Sequence, residues 1–466
     1  MLRFYNSLGK RLQPFRPIRD REVRMYTCGP TVWNYAHVGN FRTFVFYDVL
    51  RRHLKFKGYK VVSVMNITDV EDKIIRGIKE TGKPLKELTD FYAGAFLEDL
   101  ASLNIEKTDE LPRATAHIEA MIRLIRKLQE KGFTYRTTDG SVYFDVSKFK
   151  AYGALSGVKL DSLRPAGRIS SDHYEEKKEA ADFALWKAWD ADDGDVFWET
   201  ELGKGRPGWS VECSAMSMEY LGETFDIHAG GMDLKFPHHE NEIAQSEAAT
   251  GKKFVNYWLH SEFLNIRGED MHKSKGNFVT LRDLTGEGWD PLTIRAFLIS
   301  ARYRDQMDLN DAALAQARAQ RARLQELVAR LRAVKGGTPK VPGAVGAFLS
   351  NFESAMDDDL NTPRALAAML TFTKDANGMV DSGELGEQGA RAALGALARA
   401  DSVLGIIDFG EEELEPELED LIRQREDARK RRDFAEADRL RTMLLDAGVA
   451  VEDAHEGTRW KRVKKG

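Results

Sequence analysis

A strand, a sharp break, a helix and a second strand follow one another within residues 22–66. Residues 23–26 form a short β-prone run that ends at Cys28-Gly29-Pro30, a sequence that favours a turn. Apolar side chains then recur at helical spacing over 41–54, and residues 59–65 are rich in β-branched side chains. Two strands joined through a helix form a βαβ unit with a right-handed crossover. The pattern therefore predicts a parallel sheet covered by helices.

A second stretch of α/β character lies near the middle of the chain. A strand over 225–228, a turn at Gly230-Gly231 and a helix from about 238 to 249 follow one another. Between the two α/β stretches, residues 86–132 are helical by pattern, and residues 133–144 predict a β-hairpin. We interpret this intervening region as an insertion within a nucleotide-binding fold.

The last third of the chain has a helical pattern. Residues 291–334 are rich in Ala, Leu and Arg and predict helix, whereas the Gly- and Pro-containing residues 335–343 predict a linker. More helices follow to about residue 404. An acidic run at 411–419 then precedes a compact basic helix at 423–432, and there is no internal repeat of 20–50 residues.

Composition narrows the class of protein. The chain has 466 residues, of which 42% are hydrophobic and 31% charged, which excludes a disordered chain, a collagen-like chain and a small disulfide scaffold. Its net charge is −5, so a polyanionic partner has to meet local basic patches. The chain has only two cysteines, too few for a disulfide framework, and this low count is typical of proteins from a reducing compartment. Without a signal-like N-terminus or an apolar run of about 18 residues, we expect a cytoplasmic protein with no membrane contact.

Four side chains with the chemistry of zinc ligands come from three distant stretches. Cys28 ends the first strand of the βαβ unit, and Cys213 lies in a separate segment. His238 and Glu242 are four residues apart, so a helix would place both on one face. Two thiolates, an imidazole and a carboxylate can surround Zn²⁺ tetrahedrally. The same residues also fit two buried free cysteines and a helix with a polar start, and both interpretations stay open.

Two further segments suit a nucleotide. His37 and Asn40, with Gly39 between them, lie where the first strand passes into its helix, and a helix N-terminus attracts phosphate. Much later, Lys273 and Lys275 lie in a Gly-containing loop that suits a clamp on a triphosphate. Neither GxGxxG nor GxxxxGK[ST] occurs, which disfavours a nicotinamide fold and a P-loop. Taken singly, each segment also fits an ordinary helix cap or a solvated loop.

Taken together, these motifs resemble those of the cysteinyl-tRNA synthetases, a family of class I aminoacyl-tRNA synthetases. The strings that carry the resemblance are 26–32, 37–40 (like HIGH), 66–70, 206–209, 226–242, 271–277 (like KMSKS), 423–429 and 457–460. They extend over essentially the whole chain. The resemblance implies an α/β fold, with a class I Rossmann-like parallel-sheet catalytic domain that carries an inserted α/β segment, followed by an α-helical bundle and a small C-terminal domain.

The resemblance also implies domain bounds. They are 1–115 for the first half of the catalytic domain, 116–200 for the inserted connective segment, 201–288 for the second half with the KMSKS-like loop, 289–405 for a helical tRNA-binding bundle and 406–466 for an anticodon-binding domain.

Two residues depart from the family motifs. Asn40 stands where HIGH ends in histidine, and it keeps a hydrogen-bond donor. Asp270 stands where KMSKS begins with lysine, whereas Lys273 is retained. We therefore expect Lys273 to carry the phosphate contact.

The activity implied is ATP-dependent formation of cysteinyl-adenylate from L-cysteine and transfer to the 3′-terminal adenosine of tRNA(Cys), with AMP and diphosphate as products. The implied catalytic residues are His37, Asn40 and Lys273. The implied ATP-binding residues are His37, Gly39, Asn40, Gly230, Gly231 and Lys273. The implied substrate-binding residues are Gly29, Thr68, Trp209 and Asp233. The implied ligands of one Zn²⁺ per chain are Cys28, Cys213, His238 and Glu242. The resemblance further implies Mg²⁺ with ATP and a monomer.

Two rival functions remain. The cysteine ligase of mycothiol synthesis resembles the same catalytic core and joins cysteine to an amino sugar, but it usually lacks the C-terminal tRNA-binding region. A non-catalytic module that binds zinc and nucleic acid would leave His37 and Lys273 without a role.

Overall fold

The computed structural model describes residues 1–159, 177–269, 278–337, 341–410, 415–454 and 457–462. Contacts divide the chain into two compact units, Met1–Ile407 and Asp408–Gly466. The strands are β1 (Arg3–Asn6), β2 (Arg11–Pro14), β3 (Glu22–Thr27), β4 (Lys60–Met65), β5 (Thr134–Arg136), β6 (Val142–Phe144), β7 (Phe183–Ala188), β8 (Trp198–Thr200), β9 (Gly203–Pro207), β10 (Phe225–Gly231), β11 (Val255–Ser261), β12 (Leu264–Ile266), β13 (Met307–Leu309), β14 (Val449–Ala454) and β15 (Gly457–Arg462). The α-helices are α1 (Val38–Phe56), α2 (Asp72–Thr81), α3 (Leu85–Ser102), α4 (Ile118–Glu130), α5 (Trp209–Leu221), α6 (His238–Thr250), α7 (Leu281–Gly286), α8 (Pro291–Leu298), α9 (Asp311–Ala333), α10 (Gly343–Asp357), α11 (Thr362–Asp381), α12 (Glu387–Leu404), α13 (Pro416–Lys430) and α14 (Phe434–Asp446).

The first unit is organised around a parallel sheet with the strand order β11-β10-β3-β4. The chain leaves β3 through α1 toward β4, and it leaves β10 through α6 toward β11, which is the opposite direction across the sheet. The βαβ unit predicted within residues 22–66 is thereby confirmed. The carboxyl ends of β3 and β10 form a topological switch point, where open α/β sheets bind their ligands.

One local prediction in this sheet is wrong. Gly230 and Gly231 were expected to form a turn, but they complete β10, where they lie opposite His260 and Ser261 of β11. Pairing with a neighbouring strand supplies the backbone hydrogen bonds that the local sequence alone does not indicate. The turn comes one residue later, as a short 3₁₀ helix at Met232–Lys235 that leads into α6.

An antiparallel sheet of order β5-β6-β7-β9-β8 lies between the two halves of the parallel sheet in the sequence. The hairpin predicted within residues 133–144 is confirmed by the pairing of β5 with β6. The chain returns from β9 directly into α5, with Gly208 as its N-cap. This short junction connects the inserted sheet to a helix of the catalytic half.

The helical part of the first unit contains α8 to α12. The predicted continuous helical stretch at 291–334 is interrupted, because Met307–Leu309 pair in parallel with β12 as strand β13. The linker predicted at 335–343 lies between α9 and α10, and its residues 338–340 lie outside the described residues.

The second unit contains α13, α14 and the antiparallel pair of β14 and β15. Its small core includes Leu444, Val449 and Val451. The predicted basic helix forms part of α13. Among the described residues of the whole chain, no helix is long and apolar enough to span a bilayer.

A buried ion-pair cluster connects α1 to α10 and allows a stability prediction. Asp357 accepts hydrogen bonds from His53 Nε2 (3.1 Å) and from Lys57 Nζ (3.0 Å). Burial would raise the pKa of Asp357, but these two partners outweigh it and lower the pKa to about 2. A carboxyl with a lowered folded-state pKa stabilises the fold above its unfolded pKa, and this contribution is lost as the pH falls.

We therefore expect Asp357→Asn to lose about 1–2 kcal/mol of stability at pH 7, seen as a lower Tm. The difference in Tm between this variant and the wild type should shrink as the pH falls from about 5 toward 2. Calorimetry across this range measures it, with Asp358→Asn as the control, because Asp358 pairs with Arg3 at the surface and should matter by less than about 1 kcal/mol. A Tm difference that does not change with pH would contradict the ionic origin.

Candidate active site

The candidate site lies at the carboxyl ends of β3 and β10. Cys28 directly follows β3, and its backbone N–H donates to Ala229 O of β10 (3.2 Å). His37 is the N-cap of α1, the helix that leaves β3. The switch point therefore brings the start of α1 and the first predicted metal ligand to the same edge of the sheet.

The structure brings the four predicted metal ligands together. One ligand atom from each of Cys28, Cys213, His238 and Glu242 lies within 4.8 Å of the others, and all four residues are buried. The two sulfur atoms are 4.0 Å apart, and His238 Nε2 is 3.2 Å from Glu242 Oε1. Cys213 comes from α5, whereas His238 and Glu242 lie one turn apart on α6. Packing of α5 against α6 beside β3 closes the cluster.

The chemistry of this cluster fits a cation. Glu242 Oε1 is buried and has no hydrogen-bond partner among the described residues. Burial, reinforced by Cys213, raises the pKa of Glu242 and of Cys28 well above their ordinary values. The Glu242 carboxyl and the Cys28 thiol are therefore costly to ionise without a compensating positive charge. Two sulfurs, one imidazole nitrogen and one carboxylate oxygen are a donor set that suits Zn²⁺.

Two histidines that sequence reasoning missed complete the surroundings. His228 Nε2 lies 2.9 Å from Glu242 Oε2, and His239 Nε2 lies 3.3 Å from Cys28 Sγ. These four residues form an overlapping group that also lies within 4.8 Å. Burial lowers the pKa of both His228 and His239 well below the usual range, so both imidazoles are neutral near pH 7. Both lie in the string 226–242 that carries the family resemblance, but within that string only His238 and Glu242 were predicted as ligands.

Two of the predicted substrate residues contact the cluster or its neighbours. Trp209 is 40% exposed, and its ring lies 4.2 Å from that of His238. Thr68 is buried, and its hydroxyl donates to Glu212 Oε2 (3.0 Å). Glu212 was not foreseen from the sequence. Its other carboxylate oxygen is buried without a hydrogen-bond partner in the described part of the chain.

The backbone beside Cys28 is closely fitted. Gly29 N donates to Asn66 Oδ1 (2.9 Å), and Asn66 Nδ2 donates to Thr68 Oγ1 (3.1 Å). A Cβ atom at Gly29 would lie 1.7 Å from the carbonyl oxygen of Asn66, so this position excludes any side chain. Asn66, which the sequence reasoning did not single out, thus connects Gly29 to Thr68.

Glycines also permit close packing at the end of β10. A Cβ atom at Gly230 would lie 2.4 Å from His239 Cε1, and one at Gly231 would lie 2.3 Å from Asp233 Oδ1. Asp233 itself is exposed on the short 3₁₀ helix before α6. Both glycines therefore make room for side chains of the protein itself.

The first turn of α1 holds the HIGH-like residues in a capping box. Asn40 N donates to His37 Nδ1 (3.1 Å), and His37 N donates to Asn40 Oδ1 (3.1 Å). The side chains of both residues thus fix the N-terminus of the helix, with Gly39 between them. Asparagine at the last position of the motif supplies the carbonyl oxygen that this capping box needs.

The segment that follows the KMSKS-like loop lies against His37. The rings of His37 and Phe278 are 5.3 Å apart, and Val38 N donates to Val279 O (2.9 Å). The loop residues Asp270 and Lys273 lie outside the described residues. The first described residues after this loop, Phe278 and Val279, thus lie at the start of α1.

Comparisons with protein families cover most of the chain. The model of the class I (C) tRNA synthetase catalytic domain matches residues 14–319. A DALR domain matches 351–408, and the cysteinyl-tRNA ligase anticodon-binding domain matches 411–460.

Curated relatives match over their full length. The cysteine–tRNA ligase of Chlamydia pneumoniae is 46% identical over 466 residues, covering 99% of this chain and 98% of the relative. That of Koribacter versatilis is 42% identical and covers 99% of both chains. Among solved structures, the methionyl-tRNA synthetase of Mycobacterium tuberculosis in complex with methionyl-adenylate has a TM-score of 0.59 at 17% identity, over 83% of this chain and 90% of that chain. This last likeness concerns the fold alone.

Proposed function

The chain belongs to the cysteine–tRNA ligase family of class I aminoacyl-tRNA synthetases, and we propose that the cluster of Cys28, Cys213, His238 and Glu242 is the zinc centre with which it selects L-cysteine. The enzyme activates L-cysteine with ATP and then joins it to tRNA. The convergence of four zinc-type donors beside the N-terminus of α1 carries the proposal.

Zinc held by these four residues would offer a further coordination position that accepts a thiolate far better than a hydroxyl. The surrounding residues keep the donors in place. His228 orients the carboxylate of Glu242, and His239 contacts the sulfur of Cys28. Because these imidazoles are neutral and buried, they add no competing charge to the site.

We assign the amino-acid pocket to Gly29, Thr68, Trp209 and Asp233. The absence of a side chain at Gly29 lets the backbone beside Cys28 pack directly against the carbonyl oxygen of Asn66, and Trp209 covers His238 on the exposed side. Thr68 holds Glu212 in the pocket wall. Asp233 offers an exposed carboxylate that can pair with the ammonium group of cysteine.

In the activation step, a carboxylate oxygen of cysteine attacks the α-phosphorus of ATP, and the bond from this phosphorus to the bridging oxygen breaks. The products are cysteinyl-adenylate and diphosphate. We assign His37, Asn40 and the N-terminus of α1, with Gly39 between them, to the charge on the phosphates. Lys273 is assigned to the departing diphosphate. Gly230 and Gly231 are assigned to the adenosine side of the ATP site, and Mg²⁺ accompanies the phosphates of ATP.

In the transfer step, a ribose hydroxyl of the terminal adenosine of tRNA(Cys) attacks the carbonyl carbon and releases AMP. We propose that 1–115 and 201–288 form the catalytic domain, that 116–200 is the inserted segment, and that 289–405 and 406–466 bind tRNA. The match of 411–460 to an anticodon-binding domain supports a tRNA acceptor over an amino sugar. The monomeric state and the cytoplasmic location stay predictions.

Cysteine- and serine-dependent ATP–diphosphate exchange, measured side by side on protein of known zinc content, tests the proposal. We expect serine to be disfavoured by roughly 10⁴-fold in kcat/KM, since a hydroxyl cannot replace the ligand that the site is built to take. Comparable exchange with serine at full zinc content would contradict the selectivity role.

A further inference from the structure

The two walls of the proposed amino-acid pocket are connected twice. Thr68 lies four residues before Asp72, the first residue of α2. Trp209 lies three residues after Arg206, near the end of β9. On the inner side, Thr68 Oγ1 donates to Glu212 Oε2 (3.0 Å). On the outer side, Asp72 accepts from Arg206 Nη2 and from Lys187 Nζ, the latter at 2.8 Å.

The outer connection is strongly anchored. The side chain of Arg206 is 9% exposed, and its Nε also donates to Asp193 Oδ1 (2.9 Å). A buried guanidinium between two carboxylates forms charge-assisted hydrogen bonds, which are stronger than neutral ones. Asp72 is the member of this group that belongs to the Thr68 segment, because Asp193, Lys187 and Arg206 all belong to the segment from β7 to β9.

The backbone between Arg206 and Trp209 is packed tightly against β7. Gly208 N donates to Leu185 O (2.9 Å), and a Cβ atom at Gly208 would lie 1.9 Å from Ala184 O. Gly208, and with it the start of α5 that carries Trp209 and Cys213, is therefore held against β7, the strand whose Lys187 also pairs with Asp72.

A polar cavity of about 320 Å³ lies over these groups, lined by residues of α2, β7, β9 and the turn at 190–193. Asp72 is 42% exposed there. A substitution at Asp72 therefore changes these ion pairs without creating a cavity in the hydrophobic core.

We propose that Asp72, together with Arg206 and Lys187, is a positioning residue that fixes the distance between Thr68 and Trp209 and thereby sets the affinity for cysteine. The inference rests on the proposed assignment of Thr68 and Trp209 to the pocket. Asp72 contacts neither wall residue and acts only through the segments that carry them.

Asp72→Asn tests this role, because it keeps the shape of the side chain and removes its charge. We expect the KM for cysteine in ATP–diphosphate exchange to rise about 5- to 20-fold, with kcat and the KM for ATP changed by less than about 2-fold. Zinc content should stay as in the wild type, whereas Tm should fall modestly, because the buried Arg206 loses one of its two carboxylate partners. Asp72→Glu, which restores the carboxylate, should recover most of the affinity.

Lys79→Met is the matched control. Lys79 also lies on α2 and pairs with Asp192 of the same 190–193 turn at 2.7 Å, but this pair is exposed and does not reach β9. We expect it to leave the KM for cysteine unchanged. An equal rise with Lys79→Met would show that any change at this cavity matters and would overturn the specific role of Asp72.

Trp209→Ala separates the pocket assignment from the positioning role of Asp72. If Trp209→Ala raises the KM for cysteine and Asp72→Asn does not, the pocket assignment stands and the positioning role is wrong. If neither substitution raises it, the proposed pocket itself is wrong. A loss of zinc with Asp72→Asn, with a lower kcat and higher KM values for both cysteine and ATP, would make Asp72 merely structural and overturn the inference.

Discussion

Cys213→Ser should abolish tight zinc binding and lower cysteine-dependent ATP–diphosphate exchange by at least about 10³-fold. Cys213 supplies one of the two sulfur donors, which lie 4.0 Å apart in the buried cluster. A serine hydroxyl does not ionise there and is a poor zinc ligand. His238→Ala should have the same effect, because it removes the one imidazole of the proposed ligand set. Metal content by mass spectrometry and the exchange rate on the same sample measure both results.

The control has to separate metal loss from a damaged core. Ser217 lies on α5 one turn beyond Cys213, is equally buried, and donates to Ser214 O of the same helix (3.2 Å). Ser217→Ala should therefore keep its zinc and its exchange activity. A Cys213→Ser protein that contains no zinc and yet exchanges at the wild-type rate would refute the assignment of the metal centre.

Local pattern was sufficient for those elements whose own sequence dictates their structure. The βαβ unit of residues 22–66 and the hairpin within 133–144 are confirmed, because apolar periodicity and turn residues act over a few positions. Gly230-Gly231 and Met307–Leu309 were missed as strand residues, since each is paired by a strand that the local sequence does not reveal. Tertiary pairing overrides local preference at such positions.

The candidate site likewise contains residues that the sequence indicates and residues that only the tertiary structure reveals. Cys28 and Cys213 are 185 residues apart in sequence, and no spacing rule brings them together. Residue chemistry alone left a zinc cluster and two buried free cysteines both open, and the family resemblance favoured the cluster. Glu212, His228 and His239 lie around those ligands, so their importance depends on tertiary contacts that sequence spacing does not show. A single sequence therefore indicates the reactive groups more readily than the residues that hold them.

Removal of the second unit should separate the two steps of the reaction. We expect a chain that ends at Ile407 to keep cysteine-dependent exchange within about 3-fold of the wild type, while kcat/KM for tRNA charging falls by about 10²- to 10³-fold. The described metal cluster and the capping box of α1 lie wholly within Met1–Ile407. The removed part has its own small core and matches an anticodon-binding domain.

The truncated chain has to end at Ile407 and not earlier, because Asp401 binds the last two residues before this point. Its carboxylate accepts from Ile406 N (2.9 Å) and from Ile407 N (3.0 Å), and both isoleucine side chains are buried. A chain that ends at Gly405 loses these contacts and leaves a buried carboxylate without its partners, so it should have a lower Tm than the chain that ends at Ile407. The chain that ends at Gly405 is therefore a control that shows how a structural defect affects cysteine-dependent exchange and tRNA charging. If the chain ending at Ile407 lost exchange and charging equally, the second unit would be a structural support; if it kept both, tRNA recognition would reside in the first unit.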